Sequence, residues 1–318
     1  MWSEKFRELK YCVIIPTYNN SGTLSSVISG VLKFTDSVIV VNDGSTDGTS
    51  DILKQFQDIT VVTHEVNKGK GIALRTGFKK AVELDLDYAV TIDSDGQHNP
   101  EDLPNFIEKI EKEPGSLIVG ARNMEQSTVP GKSSFGHKFS NFWYKVETGI
   151  DLPDTQSGYR LYPVKKLKDI RYITNRFEFE IEVIVRAAWA GIRVTHVPVS
   201  VIYFPKETRV SHFRPVRDFT RVSILNTILV FLAFTIFRPL MYIRNIKKKS
   251  AREIVENILG SNESAFKISS AVALGGAIGV SPFWGFQIML ILIFAHILKL
   301  NKVTALIASH ISIPPFIP

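Results

Sequence analysis

The sequence predicts an α/β fold with a mostly parallel central sheet, followed by C-terminal membrane helices, on three observations. Short apolar β-type runs alternate with segments of helical spacing through the first part of the chain. Two of those runs lead straight into acidic loops, Asn42-Asp43-Gly44-Ser45 and Asp93-Ser94-Asp95-Gly96-Gln97. Further on, residues 222–237 and 268–298 are almost free of charge. Ligands of open α/β sheets bind beyond the carboxyl ends of the strands, so two acidic loops distant in sequence can meet there.

The elements follow in chain order. Residues 11–15 are strand-like and end at Pro16, and residues 23–34 carry Leu24, Val27, Ile28, Val31 and Leu32 at helical spacing. Val38-Ile39-Val40-Val41 is a second strand closed by Asp43, and Ser45-Thr46-Asp47 supplies N-cap chemistry for a helix running to Phe56. Residues 59–63 read as a third strand and 71–84 as a helix. Tyr88-Ala89-Val90-Thr91-Ile92 is a fourth strand that ends at the second acidic loop. Asn99-Pro100-Glu101-Asp102 then opens a helix with proline in its first turn, and residues 116–120 form a further strand. Repeated βα units with short connections favour a mostly parallel sheet. Strand-like segments give way to a long apolar helical pattern near residues 213–217.

At 318 residues the chain exceeds one ordinary compact core. Its net charge of +7 is concentrated beside the apolar stretches, with Lys206, Arg209, Arg214, Arg217 and Arg221 before the first and Arg244, Lys247, Lys248, Lys249 and Arg252 after it. That placement points to membrane phosphates and away from nucleic acid. Each such cation contributes on the order of 1 kcal/mol near an anionic leaflet. The single cysteine, Cys12, lies inside the first strand, so no internal disulfide forms. The first ten residues are polar and charged, with no apolar signal region. The expected location is the inner (cytoplasmic) membrane, with the catalytic part facing the cytoplasm.

A sugar nucleotide leaves its sugar as a diphosphate, and a divalent cation best neutralises the charge that develops there. Asp93, Asp95 and Gln97 alternate along one loop and can offer three oxygen-bearing side chains to Mg²⁺ or Mn²⁺. Asp43 is either a turn aspartate in Asn-Asp-Gly or an acceptor for the base or ribose. Pro16, Thr17, Tyr18 and Asn19 offer an aromatic face and backbone groups to the same base. Asn67-Lys68-Gly69-Lys70-Gly71 is a cationic, glycine-bearing loop at a helix start, suited to phosphate. It matches neither a Walker loop nor a dinucleotide fingerprint.

Together with Asp154-Thr155-Gln156-Ser157-Gly158-Tyr159-Arg160, these motifs resemble the inverting family-two glycosyltransferases, nearest to the dolichol- or polyprenol-phosphate sugar synthases, over roughly residues 10–215. The resemblance implies a GT-A fold, a divalent cation, a GDP- or UDP-sugar donor and a lipid-linked acceptor. By the same resemblance Asp43 contacts the nucleobase, Asp93 the nucleotide or cation, Asp95 and Gln97 the cation, and Arg122 a phosphate, while Arg160 supports the acceptor loop. A lipid phosphate acceptor is already anionic and needs no general base, whereas a hydroxyl acceptor does, and Asp154 occupies the place of that base. Asp154 and Asp95 are therefore the catalytic candidates. Lys138, Glu182, Lys206, Arg209 and His212 are the acceptor or phosphate candidates. The first-choice reading is transfer of one sugar to polyprenol phosphate. The runners-up are transfer to a hydroxyl of a glycolipid with Asp154 as base, and a non-catalytic nucleotide-sugar-binding scaffold.

Three regions follow. Residues 1–215 are the expected catalytic domain, and residues 216–250 a juxtamembrane or membrane helix with basic flanks, interrupted at Arg238-Pro239. Residues 251–318 resemble a small bacterial membrane domain of unknown function, in which the 268–298 stretch, broken by Gly275, Gly276, Gly279, Pro282 and Gly285, reads as a helical hairpin or re-entrant pair. That domain is expected to continue past Pro318, which makes the sequence read as truncated.

Overall fold

The computed structural model describes residues 2–122, 131–202, 214–237, 264–279 and 287–311. The chain divides into two compact units, residues 1–229 and 230–318.

The first unit is built on a seven-stranded sheet of order β3-β2-β1-β4-β6-β5-β7, preceded by a short helix α1 (Trp2–Glu8). The strands are β1 (Tyr11–Thr17), β2 (Val38–Asn42), β3 (Thr60–Thr63), β4 (Tyr88–Thr91), β5 (Leu117–Arg122), β6 (Arg160–Tyr162) and β7 (Val194–Val199). All pairings are parallel except those of β6, which runs antiparallel to both β4 and β5 and leads into the short helix α7 (Val164–Leu167). β1 is buried along its whole length because helices cover both faces, which is why it reads as an unbroken apolar run and not as an alternation. On one face Val13, Ile15, Val38, Val40 and Val90 share a core with Leu24 and Ile28 of α2 (Ser21–Leu32) and Phe106 and Ile107 of α5 (Leu103–Lys112). On the other face α4 (Lys70–Glu83) comes so close that a Cβ on Gly77 would meet Ile14 at 2.7 Å. Cys12 is fully buried in β1.

Thr17 pairs with Asn42 while Thr91 pairs with Ile14, so β1, β2 and β4 end at the same sheet edge. Chain connections depart to opposite sides of β1, making this edge a topological switch point. The helix expected to begin at Ser45 is shorter, α3 (Thr49–Leu53). Asp47 accepts from the backbone of Thr49 at 3.0 Å and of Ser21 at 3.1 Å, which ties the preceding residues to α2. Asn99 caps the turn at Pro100–Asp102 by accepting from Glu101 N.

α9 (Pro215–Leu232) continues as a wider turn to Phe237, and the chain division after Leu229 falls within it. Among the described residues, Val216–Phe237 is the one helix long and apolar enough to cross a membrane. It exposes Phe219, Ile224 and Phe231. The expected break at Arg238-Pro239 lies outside the described residues.

In the second unit, helices Ala265–Gly279, Gln287–Ile297 and Lys302–Ile311 enclose Ala271, Ile291, Ala295, Ala305 and Leu306. Among the described residues, the 268–298 stretch falls in the helices Ala265–Gly279 and Gln287–Ile297. A Cβ on Gly275 would stand 2.0 Å from the Ala305 carbonyl oxygen, so only glycine permits this backbone contact.

Candidate functional site

A cleft of about 740 Å³ opens at the sheet edge where β1, β2 and β4 end. Pro16, Thr17 and Tyr18 enter it from β1, Asp43 from the end of β2, and Asp93, Asp95 and Gln97 from the loop after β4. Asn20 holds that loop in place, donating to Ser94 Oγ at 3.0 Å, while Thr23 donates to the Ser94 carbonyl at 2.6 Å. Asn19 lies beside the cleft and does not line it. It adopts a left-handed backbone (φ 46°) and accepts from Thr46 N at 2.7 Å, fastening the residue 45–46 turn to β1.

Asp43 is buried and accepts three hydrogen bonds, from His64 Nδ1 at 2.7 Å, Lys68 N at 2.9 Å and Gly69 N at 2.7 Å. Lys70, at the start of α4, reaches Asp93 at 2.8 Å and Glu180 at 3.1 Å. Burial opposes its charge, yet those two carboxylates raise the ammonium above its ordinary range. Burial would likewise raise Asp93, but Lys70 holds its carboxyl below the usual value. The approach is tight: a Cβ on Gly158 would stand 2.6 Å from Asp93 Oδ2.

The loop has the make-up of a site for a hard divalent cation. Asp93, Asp95 and Gln97 line one cleft with carboxylate and amide oxygens, the atom type a hard cation takes. Among the described residues no cluster of three His, Cys, Asp or Glu side chains forms a complete cage. Sites that share an ion with substrate phosphates commonly contribute only one or two carboxylates. His98, next in the chain, also lines the cleft; burial pushes its imidazole down to about 4, so it is neutral at neutral pH.

The cleft lining is also cationic. Arg122 enters it from the end of β5, Arg176 from beside Gly69, and Arg214, Arg217 and Arg221 from the first turns of α9 and the residue before it. Arg214 N donates to Asp218 at 2.7 Å, and Arg221 stands 3.6 Å from the same buried carboxylate.

Asp154 departs from its expected role at the reacting atoms. It has no exposed surface and does not line the cleft. It accepts from Arg122 Nε at 2.6 Å and Nη2 at 3.1 Å, and from Gln156 N at 2.9 Å and Ser157 N at 3.2 Å. His137 Nε2 stands 3.3 Å away, without good hydrogen-bond alignment. Burial opposes ionisation, but His137 and Arg122 hold the carboxyl well below the usual range. In this structure the carboxylate fixes the Arg122 guanidinium.

Glu182 departs in the same way. It is fully buried in α8 (Phe179–Trp189) and accepts from Thr174 N at 2.9 Å, Ile173 N at 3.0 Å and Arg186 Nε at 2.5 Å. Glu180, two residues earlier and so on another side of the helix, faces the cleft. Arg160, buried, donates to the carbonyls of Ser157 at 2.6 Å and Thr155 at 2.9 Å, and so braces the loop that carries Asp154. Lys138 is exposed on α6 (Gly131–Thr148) and does not line the cleft. Lys206, Arg209 and His212 lie outside the described residues. The structure therefore gathers Pro16, Thr17, Tyr18, Asp43, Lys70, Asp93, Asp95, Gln97 and Arg122 in one place. It adds His98, Arg176 and Glu180, and gives cleft positions to arginines that the sequence marks only as membrane-flanking.

Comparison with known proteins bears on this geometry. The family model for glycosyl transferase family 2 matches residues 12–171, and a second, described as an uncharacterized protein conserved in bacteria, matches residues 248–318. A UDP-N-acetylglucosamine–dolichyl-phosphate N-acetylglucosaminyltransferase of Methanococcus voltae is 31% identical over 213 residues, covering 60% of this chain and 85% of its own. An undecaprenyl-phosphate mannosyltransferase of Micrococcus luteus is 29% identical, covering 61% and 84%. Among solved structures, glucosyl-3-phosphoglycerate synthase from Mycobacterium tuberculosis, crystallised with Mn²⁺, UDP-glucose and phosphoglyceric acid, superposes with a TM-score of 0.54 at 20% identity, covering 73% of this chain and 81% of that one. That likeness establishes the GT-A fold.

Proposed function

This chain belongs to glycosyl transferase family 2, and we propose that it transfers one sugar, with inversion, from a nucleotide-sugar donor to a membrane lipid phosphate, polyprenol phosphate being the first choice. The observation that supports the reading is the burial of Asp154, the carboxylate at the place of the base, against Arg122, set beside the arginines that line the cleft. Asp154 is buried on Arg122, Asp93 and Glu180 are joined to Lys70, and Asp218 caps Arg214. A hydroxyl acceptor needs a carboxylate to take its proton, whereas a phosphate oxygen attacks as the anion it already is. Its bond to the anomeric carbon forms as the bond from that carbon to the donor diphosphate breaks.

Arg122, Arg176, Arg214, Arg217 and Arg221 would orient the two phosphate groups, since guanidinium forks match phosphate geometry. Asp93, Asp95 and Gln97 would hold Mg²⁺ or Mn²⁺, which when bound neutralises charge on the leaving diphosphate. α9 begins at the cleft and runs into the apolar Val216–Phe237 stretch, which would set the acceptor wall at the depth of lipid headgroups.

The test is mass spectrometry of lipids after membranes containing the protein are incubated with a panel of sugar nucleotides. A new polyprenyl-phosphate sugar is the expected product. New mass appearing only on hydroxyl-bearing glycolipids would overturn the reading and return Asp154 to the role of base.

A further inference from the structure

Asp43 has one acceptor position left for a ligand, and we infer that the donor nucleotide carries uracil and not guanine, with His64 as the positioning residue behind that choice. The inference rests on the nucleotide-sugar reading of the cleft and adds the base to it.

A carboxylate offers about four lone-pair sites, two on each oxygen. On Asp43, Oδ1 accepts from His64 Nδ1 at 2.7 Å and from Lys68 N at 2.9 Å, which fills it. Among the described residues, Oδ2 accepts only from Gly69 N, at 2.7 Å. Guanine presents two adjacent N–H donors, and a carboxylate meets such a pair with one free site on each oxygen. Uracil presents a single ring N–H, which one site on Oδ2 satisfies. Guanine bound here would bury an N–H without a partner, a penalty that lowers affinity about tenfold or more.

The occupied oxygen cannot easily be released. A ring nitrogen facing a carboxylate must donate, so His64 Nδ1 donates to Asp43, while Nε2 stands 3.0 Å from Thr76 Oγ1. Thr76 thus holds the ring from behind. The residue 67–70 loop is equally held. Gly69 has φ +101°, and a Cβ there would stand 2.8 Å from the Asn175 carbonyl oxygen, so the backbone that donates to Asp43 is pressed against its neighbour.

Isothermal titration calorimetry of the full-length protein with UDP and with GDP, each with Mn²⁺, tests the assignment. UDP is expected to bind at least tenfold more tightly. GDP binding as well as or better than UDP would overturn the base assignment and leave the transferase reading intact. Binding of neither at millimolar concentration would overturn the donor-site reading and the assignment together. For His64, the readout is the ratio of the two affinities, because a purely structural loss lowers both alike. His64→Leu empties a site on Oδ1 and is expected to narrow the ratio several-fold, while His64→Asn, which keeps a side-chain N–H donor, preserves it. An unchanged ratio in a folded His64→Leu protein would remove His64 from the choice.

Discussion

Replacing Asp154 by asparagine separates the two roles that this residue could play. The carboxylate receives two bonds from the Arg122 guanidinium, one from Arg122 N at 3.2 Å, and two more from the backbone of residues 156 and 157. Asparagine keeps the shape but offers one acceptor oxygen and no charge, so several of those donors lose their partner. Breaking a buried ion pair by removing one member typically costs about 3–5 kcal/mol. For a unit of this size, on the order of 2–4 °C of melting temperature is lost per kcal/mol, giving a fall of roughly 6–20 °C. The pH dependence has a definite sign. The folded-state carboxyl is held below its unfolded value of 3.8, so its stabilisation is present above that pH and lost as pH falls through the acid range. The gap between wild type and Asp154→Asn in urea unfolding should therefore be full at pH 7 and shrink below about pH 4. An unshifted urea midpoint, together with a hundredfold or greater loss of kcat at saturating donor, would refute the positioning role and make Asp154 a base.

Four further outcomes are expected. Asp95→Ala should abolish transfer in a radiolabelled-sugar assay while leaving the unfolding midpoint nearly unchanged; near-normal turnover would discard the cation site. Arg217→Ala and Arg221→Ala should raise KM for polyprenol phosphate severalfold without altering KM for the sugar nucleotide, and equal effects on both would detach these arginines from the acceptor. Glu182→Gln should lower stability by about 2–4 kcal/mol at unchanged KM, whereas Glu180→Gln should also raise KM for the sugar nucleotide, as read by paired unfolding and kinetic measurements. Glu147, buried with neither carboxylate oxygen partnered among the described residues, is pushed up by burial to about 8. A folded-state value above the ordinary 4.5 means stability present at pH 4 and lost as pH rises towards 8, by up to about 5 kcal/mol. Glu147→Gln should remove most of that slope, and an unchanged slope would show the carboxyl to be solvated.

The donor half of the cleft was legible because each of its groups follows a strand that announces itself. Unbroken apolar runs such as Val38 to Val41 can sit only in a doubly covered sheet, and the residues just beyond such strands have one place to go. The acceptor half was harder to read for physical reasons. β6 is only three residues long and carries a fully buried arginine, so it gives no periodic signal. Glu180 and Glu182 are chemically equivalent in sequence, and only the rotation of α8 decides which faces the cleft. Asp154 holds the position of a base in the motif, yet it is paired with Arg122, distant in the chain, and no local pattern records that contact. The left-handed turn at Asn19 likewise diverts a residue that adjacency to Tyr18 would place in the cleft.

The solitary thiol has a practical consequence. Cys12 is sealed in β1, where burial pushes its ionisation far up the alkaline scale, so under native conditions it is silent towards maleimides. Any cysteine introduced elsewhere would report alone, with no need to engineer a thiol-free background first. A labelling scan along Val216–Phe237 could then map which positions lipid shields and which water reaches.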